Sequence, residues 1–218
     1  GATRLNSDDY SAVIDCARQC APLPDNPARE STIGFHQSVI LGLAGEIVEA
    51  VKAGKISHFF VIGGCDGAEP GRNYFSEFAA NTPADSLILT LGCGKYRIRN
   101  HDYGTLSLNG AGPIPRLLDM GQCNNAFGAI EVAVALSKAF NCSVNDLPLT
   151  IVLSWFEQKA VAVLLTLLAL GVKGIRVGPA APAFVSPNVF KILQEKYDLK
   201  LTSQGEPLLD LSRSLERV

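Results

Sequence analysis

Short apolar runs alternate with longer stretches of helical periodicity along most of this chain. Six runs have the length and the aliphatic or β-branched content of strands, and turn-forming residues bound them. The predicted strands are residues 58–64, 86–92, 115–121, 148–155, 174–178 and 199–202. Helices are predicted between them, over residues 71–80, 125–140, 157–171 and 186–197. Strands that alternate with helices predict an α/β fold, a Rossmann-like doubly wound parallel sheet with flanking helices.

The beginning of the chain has a different pattern. Ser7 and the two acidic residues after it can open a short helix over residues 8–20, and a Pro-rich connector follows over residues 21–27. We therefore predict two parts: an N-terminal helix and connector over residues 1–33, and one α/β domain over residues 34–218.

A further helix is predicted over residues 36–53, just before the first strand. Its apolar side chains recur at the three- and four-residue spacing of one helix face. They are Val39, Ile40, Leu43, Ile47 and Val51. A helix with one apolar stripe is expected to cover a face of the sheet.

Composition limits the functions open to the chain. Of its 218 residues, 47% are hydrophobic and 18% are charged, with a formal net charge of −2, so a sizeable core is expected. A nucleic-acid-binding domain is usually more basic. The longest apolar stretch, residues 160–172, is too short to cross a bilayer and fits a buried helix. We therefore expect a globular protein with neither a nucleic-acid nor a membrane partner, and the sequence leaves homodimerisation open.

The first residues and the cysteine count add two expectations. The chain begins Gly-Ala-Thr and its single Met is Met120, so we expect it to be part of a longer protein. Its six cysteines are too few for a disulfide-built secreted scaffold, which favours free thiols or metal ligands. A reducing, cytoplasmic compartment is therefore expected.

Three of the cysteines share one position relative to the predicted strands. Cys65, Cys93 and Cys123 each lie in a Gly-containing turn just beyond an apolar run, in the segments GGCDGAEPGRN, LGCGKYR and DMGQCNN. In open parallel sheets, ligands bind beyond the carboxyl ends of the strands, where such turns meet. The sequence therefore predicts an iron–sulfur site at this edge. The alternative for each cysteine is an ordinary buried thiol, and the glycines fit both interpretations.

A fourth segment, FEQKA after the strand at 148–155, adds Glu157 and Lys159. Residues two apart share a face in an extended segment but not in a helix, so both side chains can face the same crevice where strand gives way to helix. The helix dipole also favours a carboxylate there. Lys159 is predicted to supply charge or protons, with Lys95 and Arg72 as weaker candidates for positive charge. The alternative is a solvated surface pair.

The spacing of the three candidate cysteines excludes two common kinds of metal site. Neither the compact CxxCxxC run of ferredoxins nor the paired CxxC of zinc ribbons is present. The gaps of 28 and 30 residues are each one strand–helix unit, so the site would form only after folding. The remaining thiols are assigned to packing: Cys16, Cys20 and Cys142.

These motifs, in this order, resemble the C-terminal domain of the hybrid cluster protein family, also called hydroxylamine reductase or prismane protein. The resemblance covers residues 34–203 and includes GGCDGAEPGRNYFSEF, LGCGKYR, DMGQCNN and SWFEQKA. It implies that the hybrid iron–sulfur–oxygen cluster is held partly by Cys65, Cys93, Cys123 and Glu157, with Lys159 close to it. The family is similar in fold to the catalytic subunit of carbon monoxide dehydrogenase, which is the competing assignment.

Other parts of the family pattern are missing from this chain. We find no cysteine motif for the additional 4Fe–4S cluster, and no middle region that would supply a His, a Glu and a further Cys to the hybrid cluster. His36, His58 and His101 match no motif, and His58 is predicted to be structural. The connector between Cys93 and Cys123 is also longer than usual, which predicts a local loop difference.

For the intact protein, the resemblance implies reduction of hydroxylamine to ammonia, or of nitric oxide to nitrous oxide, with electrons from a redox donor. The chain alone is expected to show little or no turnover, because several ligands would be missing. Two alternatives from other classes are a metal-free α/β interaction domain and a nucleotide-binding domain. A nucleotide-binding domain of this fold usually has a GxGxxG turn after a strand, and this sequence has none.

Overall fold

A computed structural model gives the fold of this protein. It describes residues 3–5, 8–27, 30–64, 66–67, 71–108, 110, 112–154 and 158–216. Two of the predicted site residues, Cys65 and Glu157, lie outside the described residues. The chain divides into two units, Gly1–Ser31 and Thr32–Val218.

The larger unit is built on a parallel sheet of six strands, in the order β5-β2-β1-β6-β7-β8. In chain order, the strands of the structure are β1 (His58–Gly63), β2 (Ser86–Thr90), β3 (Thr105–Leu108), β4 (Gly112–Pro115), β5 (Leu117–Asp119), β6 (Leu149–Ser154), β7 (Arg176–Gly178) and β8 (Lys200–Leu201). The chain order reverses between β1 and β6, as in a doubly wound sheet. The predicted α/β fold is confirmed.

Helices cover both faces of this sheet. Helix α1 (Ser11–Gln19) belongs to the smaller unit, and the helices of the larger unit are α2 (Gln37–Gly42), α3 (Ala44–Lys52), α4 (Tyr74–Ala80), α5 (Lys95–Ile98), α6 (Ala126–Phe140), α7 (Gln158–Ala169), α8 (Pro187–Tyr197) and α9 (Pro207–Leu215). Phe59 packs in one core cluster and Phe60 in another, because successive strand residues point to opposite faces. Strands buried on both faces must be apolar throughout, which explains the continuous runs in the sequence.

The helix predicted over residues 36–53 is two helices, because the chain turns at Leu43 between α2 and α3. Ile40 and Ile47 are each 1% exposed and lie in the core, so the apolar stripe exists. Val39 does not belong to it, since its side chain is 46% exposed. The predicted helix at 71–80 is also shorter and begins at Tyr74.

The long connector before Cys123 contains an antiparallel pair, β3 and β4, which the sequence did not predict. Leu106, Leu108 and Ile114 from this pair are buried in the core cluster that also contains Phe59. The pair escapes detection because each strand has only four residues and β4 contains two prolines, which are rare in strands.

The predicted packing role of the remaining thiols is only partly correct. Cys16 lies on α1, which buries no residue, Cys20 follows directly after α1, and both are exposed, so the prediction is wrong for both. Cys142 is half-buried and packs against the core, as predicted. Among the described residues, no helix is both long enough and apolar enough to span a bilayer.

Candidate functional site at the carboxyl edge of the sheet

Four strands that are neighbours in the sheet are each followed, in the sequence, by a predicted site residue. Cys123 follows β5, Cys93 follows β2, Cys65 follows β1 and Glu157 follows β6. These strands are consecutive in the sheet and parallel, so their carboxyl ends form one edge. With about 4.8 Å between strands, the four ends span about 14 Å. We call this edge the carboxyl edge.

The structure brings the turns of Cys93 and Cys123 together through Gly92. The Gly92 N–H donates a hydrogen bond to the Gly121 carbonyl oxygen at 2.9 Å. A Cβ atom at position 92 would lie 2.9 Å from Cys123 Sγ, and the φ of Gly92 is +78°. The Cys123 sulfur therefore packs against the backbone immediately before Cys93. Cys93 is exposed and Cys123 is half-buried, so both thiols lie at the surface of this edge.

Lys95 joins the same two turns by an ion pair. Its Nζ lies 3.0 Å from Asp119 Oδ1, and the two side chains are 12% and 4% exposed. The Gly121 N–H also donates to Asp119 Oδ1, at 2.8 Å. Asp119 Oδ2 is buried and accepts no hydrogen bond within the described part of the chain. Lys95, a weaker candidate in the sequence, thus lies at the carboxyl edge.

Arg97 connects the turn after β2 to the turn after β1. Its Nη1 donates to the Gly67 carbonyl oxygen at 2.8 Å, and its Nη2 donates to Asn73 Oδ1 at 3.0 Å. Sequence reasoning did not select Arg97. Arg72, which it did select, is half-buried and lines a cavity of about 420 Å³ together with Asn73 and Thr202.

Asp66, the residue after Cys65, fixes the beginning of α4. Its carboxylate accepts hydrogen bonds from the N–H groups of Phe75 at 2.7 Å and Ser76 at 3.1 Å, and from Ser76 Oγ at 2.7 Å. It therefore satisfies two of the free N–H groups of the first helical turn. Gly64 allows this approach, because a Cβ there would overlap the Phe75 ring. The backbone on both sides of Cys65 is thus held against α4.

Lys159 is exposed in the first turn of α7, after the carboxyl end of β6. Because Glu157 lies outside the described residues, the shared orientation of these two side chains stays a prediction. Helix α7 begins four residues after β6 ends, which places the backbone of Lys159 near the carboxyl edge.

His58 lies at the opposite edge, at the first residue of β1, and is 2% exposed. Its Nε2 is 2.9 Å from Thr150 Oγ1. Burial lowers the pKa of the imidazole to about 4. It is therefore a neutral core histidine, in agreement with the predicted structural role. His36 is also structural, because it caps the start of α2, where its Nδ1 accepts a hydrogen bond from the Ser38 N–H.

The donor atoms at the carboxyl edge suit an iron–sulfur group. Thiolates are the usual ligands of iron in such clusters, and Gly92 leaves room where any side chain would press on Cys123 Sγ. No group of three or more metal-ligating side chains occurs among the residues that the structure describes. Since Cys65 and Glu157 are not among them, the geometry bears on Cys93 and Cys123 alone, and the full ligand set stays a prediction.

Comparison with known proteins identifies close relatives. The chain is 58% identical over 212 residues to hydroxylamine reductase of Moorella thermoacetica, which covers 97% of this chain and 48% of that protein. It is 53% identical over 199 residues to hydroxylamine reductase of Geobacter metallireducens, covering 91% of this chain and 35% of that protein. The chain therefore spans about half or less of the length of these relatives.

Solved structures with a similar fold include carbon monoxide dehydrogenases. The Ni-free enzyme of Thermococcus sp. AM4 matches with a TM-score of 0.65 and 21% identity, over 84% of this chain and 32% of that one. Carbon monoxide dehydrogenase IV of Carboxydothermus hydrogenoformans matches with a TM-score of 0.66 and 16% identity, over 85% of this chain and 35% of that one. At these identities, the likeness shows the fold alone.

The model of the Prismane/CO dehydrogenase family matches residues 1–211, which is nearly the whole chain. This match and the relatives confirm the resemblance that the cysteine turns and the EQK segment predicted. The chain belongs to the Prismane/CO dehydrogenase family.

Proposed function

We propose that this chain is the cluster-binding part of an iron–sulfur oxidoreductase of the hydroxylamine reductase type. The observation that carries the proposal is the sheet order, which makes β5, β2, β1 and β6 neighbours at the carboxyl edge. Each of these strands is followed in sequence by a predicted ligand. The relatives named hydroxylamine reductase, at 53–58% identity, support this choice of activity.

In this proposal, Cys93 and Cys123 bind iron as thiolates, together with Cys65 and Glu157. The hybrid cluster, when bound, supplies electrons to the N–O bond, so that hydroxylamine takes up two electrons and two protons and yields ammonia and water. The protein holds the ligands and controls the surroundings of the metal. Lys159, exposed at the start of α7, is the side chain we assign to a charge or proton role near Glu157.

Turnover is proposed to need more than these residues. The resemblance implies further His, Glu and Cys ligands and an additional 4Fe–4S cluster, for which this sequence has no motif. A cluster that lacks several ligands would be exposed to solvent and labile. We therefore expect the isolated chain to reduce neither hydroxylamine nor nitric oxide at a sustained rate, and we propose a redox donor partner and a reducing, cytoplasmic setting for the intact protein.

Anaerobic reconstitution with iron and sulfide tests the proposal. One variant changes the three candidate cysteines, Cys65, Cys93 and Cys123, to Ser. Its matched control changes the other three, Cys16, Cys20 and Cys142, to Ser. Iron and acid-labile sulfide should bind to the parent and to the control but not to the first variant. Equal iron and sulfide contents in the two variants would contradict the ligand assignment, and a parent that binds neither iron nor sulfide would favour a metal-free interaction domain.

A cluster domain of the carbon monoxide dehydrogenase type remains the second candidate. The similar folds support it, but at 16–21% identity they carry no information on activity. An assay of the intact protein for carbon monoxide oxidation and for hydroxylamine reduction separates the two. We expect activity with hydroxylamine.

A further inference from the structure

We propose that helix α5 is a clamp that fixes the cysteine turns relative to one another. The clamp consists of Lys95 and Arg97 on α5, with Asp119 at the end of β5 as the partner of Lys95. This inference rests on the proposed function, because it assigns a positioning role toward the cluster site. None of the three residues needs to touch the metal.

The geometry of a short helix explains how two residues, Lys95 and Arg97, contact the neighbouring turns on both sides. Side chains two positions apart on a helix point about 200° apart, that is, in opposite directions. Strand β2, which leads into α5, lies between β5 and β1 in the sheet. Lys95 therefore reaches one neighbour, at Asp119, while Arg97 reaches the other, at the Gly67 carbonyl oxygen. The turn that bears Cys93 is tied on both sides.

The clamp adds to a backbone link between the same turns. The Gly92 N–H bonds to the Gly121 carbonyl oxygen, and Gly121 N–H bonds to the Asp119 carboxylate. Asp119 thus holds both Lys95 and the turn that leads to Cys123. A shift of Asp119 would move the turns of both thiols.

Core stability does not account for this ion pair. A buried pair gains little net free energy over apolar residues of similar size, because both charges lose their hydration. Here the arrangement is also incomplete, since Asp119 Oδ2 is buried and accepts no hydrogen bond from the described residues. An unsatisfied buried oxygen is costly and calls for an explanation. Holding Cys93 and Cys123 at a spacing suited to metal binding provides one.

Cadmium binding tests the clamp without any enzyme assay. The parent for this test carries Cys16→Ser, Cys20→Ser and Cys142→Ser, so that only the three candidate cysteines remain. Titration with Cd²⁺ is followed by the ultraviolet absorbance of the cadmium–thiolate bond and by calorimetry. Residues that orient metal ligands from outside typically change metal affinity by about 10–100-fold. We expect a loss of this size in each clamp variant.

Two variants are needed because a single charge deletion would leave a buried partner unpaired. Lys95→Met combined with Asp119→Asn removes both charges, and Arg97→Met removes the contacts with Gly67 and Asn73. The matched control is Arg99→Met, since Arg99 follows α5 directly and its guanidinium stacks over the Tyr96 ring at 4.4 Å. Circular dichroism and thermal unfolding show which variants are folded. If the double variant does not fold, Arg97→Met decides the test.

The outcomes separate the clamp from the proposed function. Weaker cadmium binding in folded clamp variants, with the Arg99→Met control unchanged, supports the clamp. Unchanged affinity in folded clamp variants overturns it and leaves the proposed function intact. If a chain with all six cysteines changed to Ser binds cadmium as tightly as the parent, the cysteines are not the metal ligands and the proposed function is contradicted.

Discussion

Two buried ion pairs of this protein differ in how completely they are hydrogen-bonded. In the first, Asp210 is fully buried and accepts from Arg176 Nη1 at 2.8 Å, from Tyr74 Oη at 2.6 Å, and from the N–H and Oγ of Ser203 at 2.7 and 3.0 Å. Both of its oxygens are used. This network ties α9 to the sheet and to α4.

In the second pair, Asp119 uses one oxygen for both Lys95 and the Gly121 N–H, while its Oδ2 has no hydrogen bond from the described residues. The complete network lies under a helix with no predicted site residue. The incomplete one lies between the turns of two predicted ligands. The comparison teaches that burial and charge alone do not separate a structural ion pair from a pair beside a predicted site, and that the two pairs differ in how fully the carboxylate is hydrogen-bonded.

The largest expected loss of unfolding free energy comes from disrupting the hydrogen-bond network of Asp210. Asp210→Asn leaves Arg176, 6% exposed in its side chain, without a charged partner. Loss of one member of a buried pair costs about 3–5 kcal/mol of unfolding free energy. Urea unfolding measures it. Glu195→Gln is the control, because it removes an exposed pair with Lys191 that contributes at most about 1 kcal/mol. Equal losses in the two variants would contradict the structural role of Asp210.

The next effect concerns a buried polar group at the opposite edge, His58. Its pKa is lowered to about 4 from 6.5, so the unfolded chain binds a proton more readily than the folded chain between these values. The stability from the neutral imidazole is present above pH 6.5 and is lost as pH falls toward 4, by up to about 3 kcal/mol. Urea unfolding across this range, compared between the parent and His58→Gln, measures the difference. A parent with the same pH dependence as the variant would show that His58 titrates normally.

Asp119→Asn should cost less than Asp210→Asn. Asn keeps an oxygen for the Gly121 N–H, and Lys95 is 12% exposed and close to solvent. A hydrogen bond to a charged group contributes about 1.5–3 kcal/mol, and we expect a loss in that range. Urea unfolding of the two Asn variants side by side gives the comparison directly. If Asp119→Asn costs more, the pair at the carboxyl edge is primarily structural and the clamp loses its basis.

The smallest expected loss of stability is at Gly92. A substitution there tests the contact with Cys123 Sγ separately from the strain of a positive φ. Gly92 and Gly54 have φ values of +78° and +69°, but only Gly92 faces another atom, Cys123 Sγ, at the position of a Cβ. Alanine at either site is strained by about 1–2 kcal/mol. Gly92→Ala should cost more than Gly54→Ala and should also change the rate at which Cys123 reacts with a maleimide. Identical effects on stability and reactivity would show that the sulfur does not lie against Gly92.

Much of the fold was predictable because a parallel sheet requires strands that are apolar on both faces, as at β1, β2 and β6. The elements that were missed carry a weak local signal. Helix α5 has only four residues, and β4 contains Pro113 and Pro115. Helix α9 is held by Asp210 through residues distant in the sequence, which periodicity does not show.

The sequence indicated which turns form the candidate site, but it did not indicate the side chains that hold these turns in place. Cys93 and Cys123 follow from the rule that ligands lie beyond strand ends, and the structure places both at the carboxyl edge. Arg97 and Asp66 were missed, because Arg97 bonds to another turn and Asp66 bonds to the first turn of α4, and neither contact shows in the local sequence pattern. One signal was available: Asp119 is a carboxylate inside a predicted buried strand, and such residues are rarely buried without a partner.

X-ray absorption at the cadmium edge tests the central claim most directly, because it counts the sulfur atoms bound to one metal. The sample is the chain in which Cys65, Cys93 and Cys123 are the remaining thiols. If these side chains converge on the carboxyl edge, each cadmium ion should have three sulfur ligands, and Cys65→Ser should reduce that number to two. A single sulfur per cadmium, unchanged by that substitution, would contradict the account.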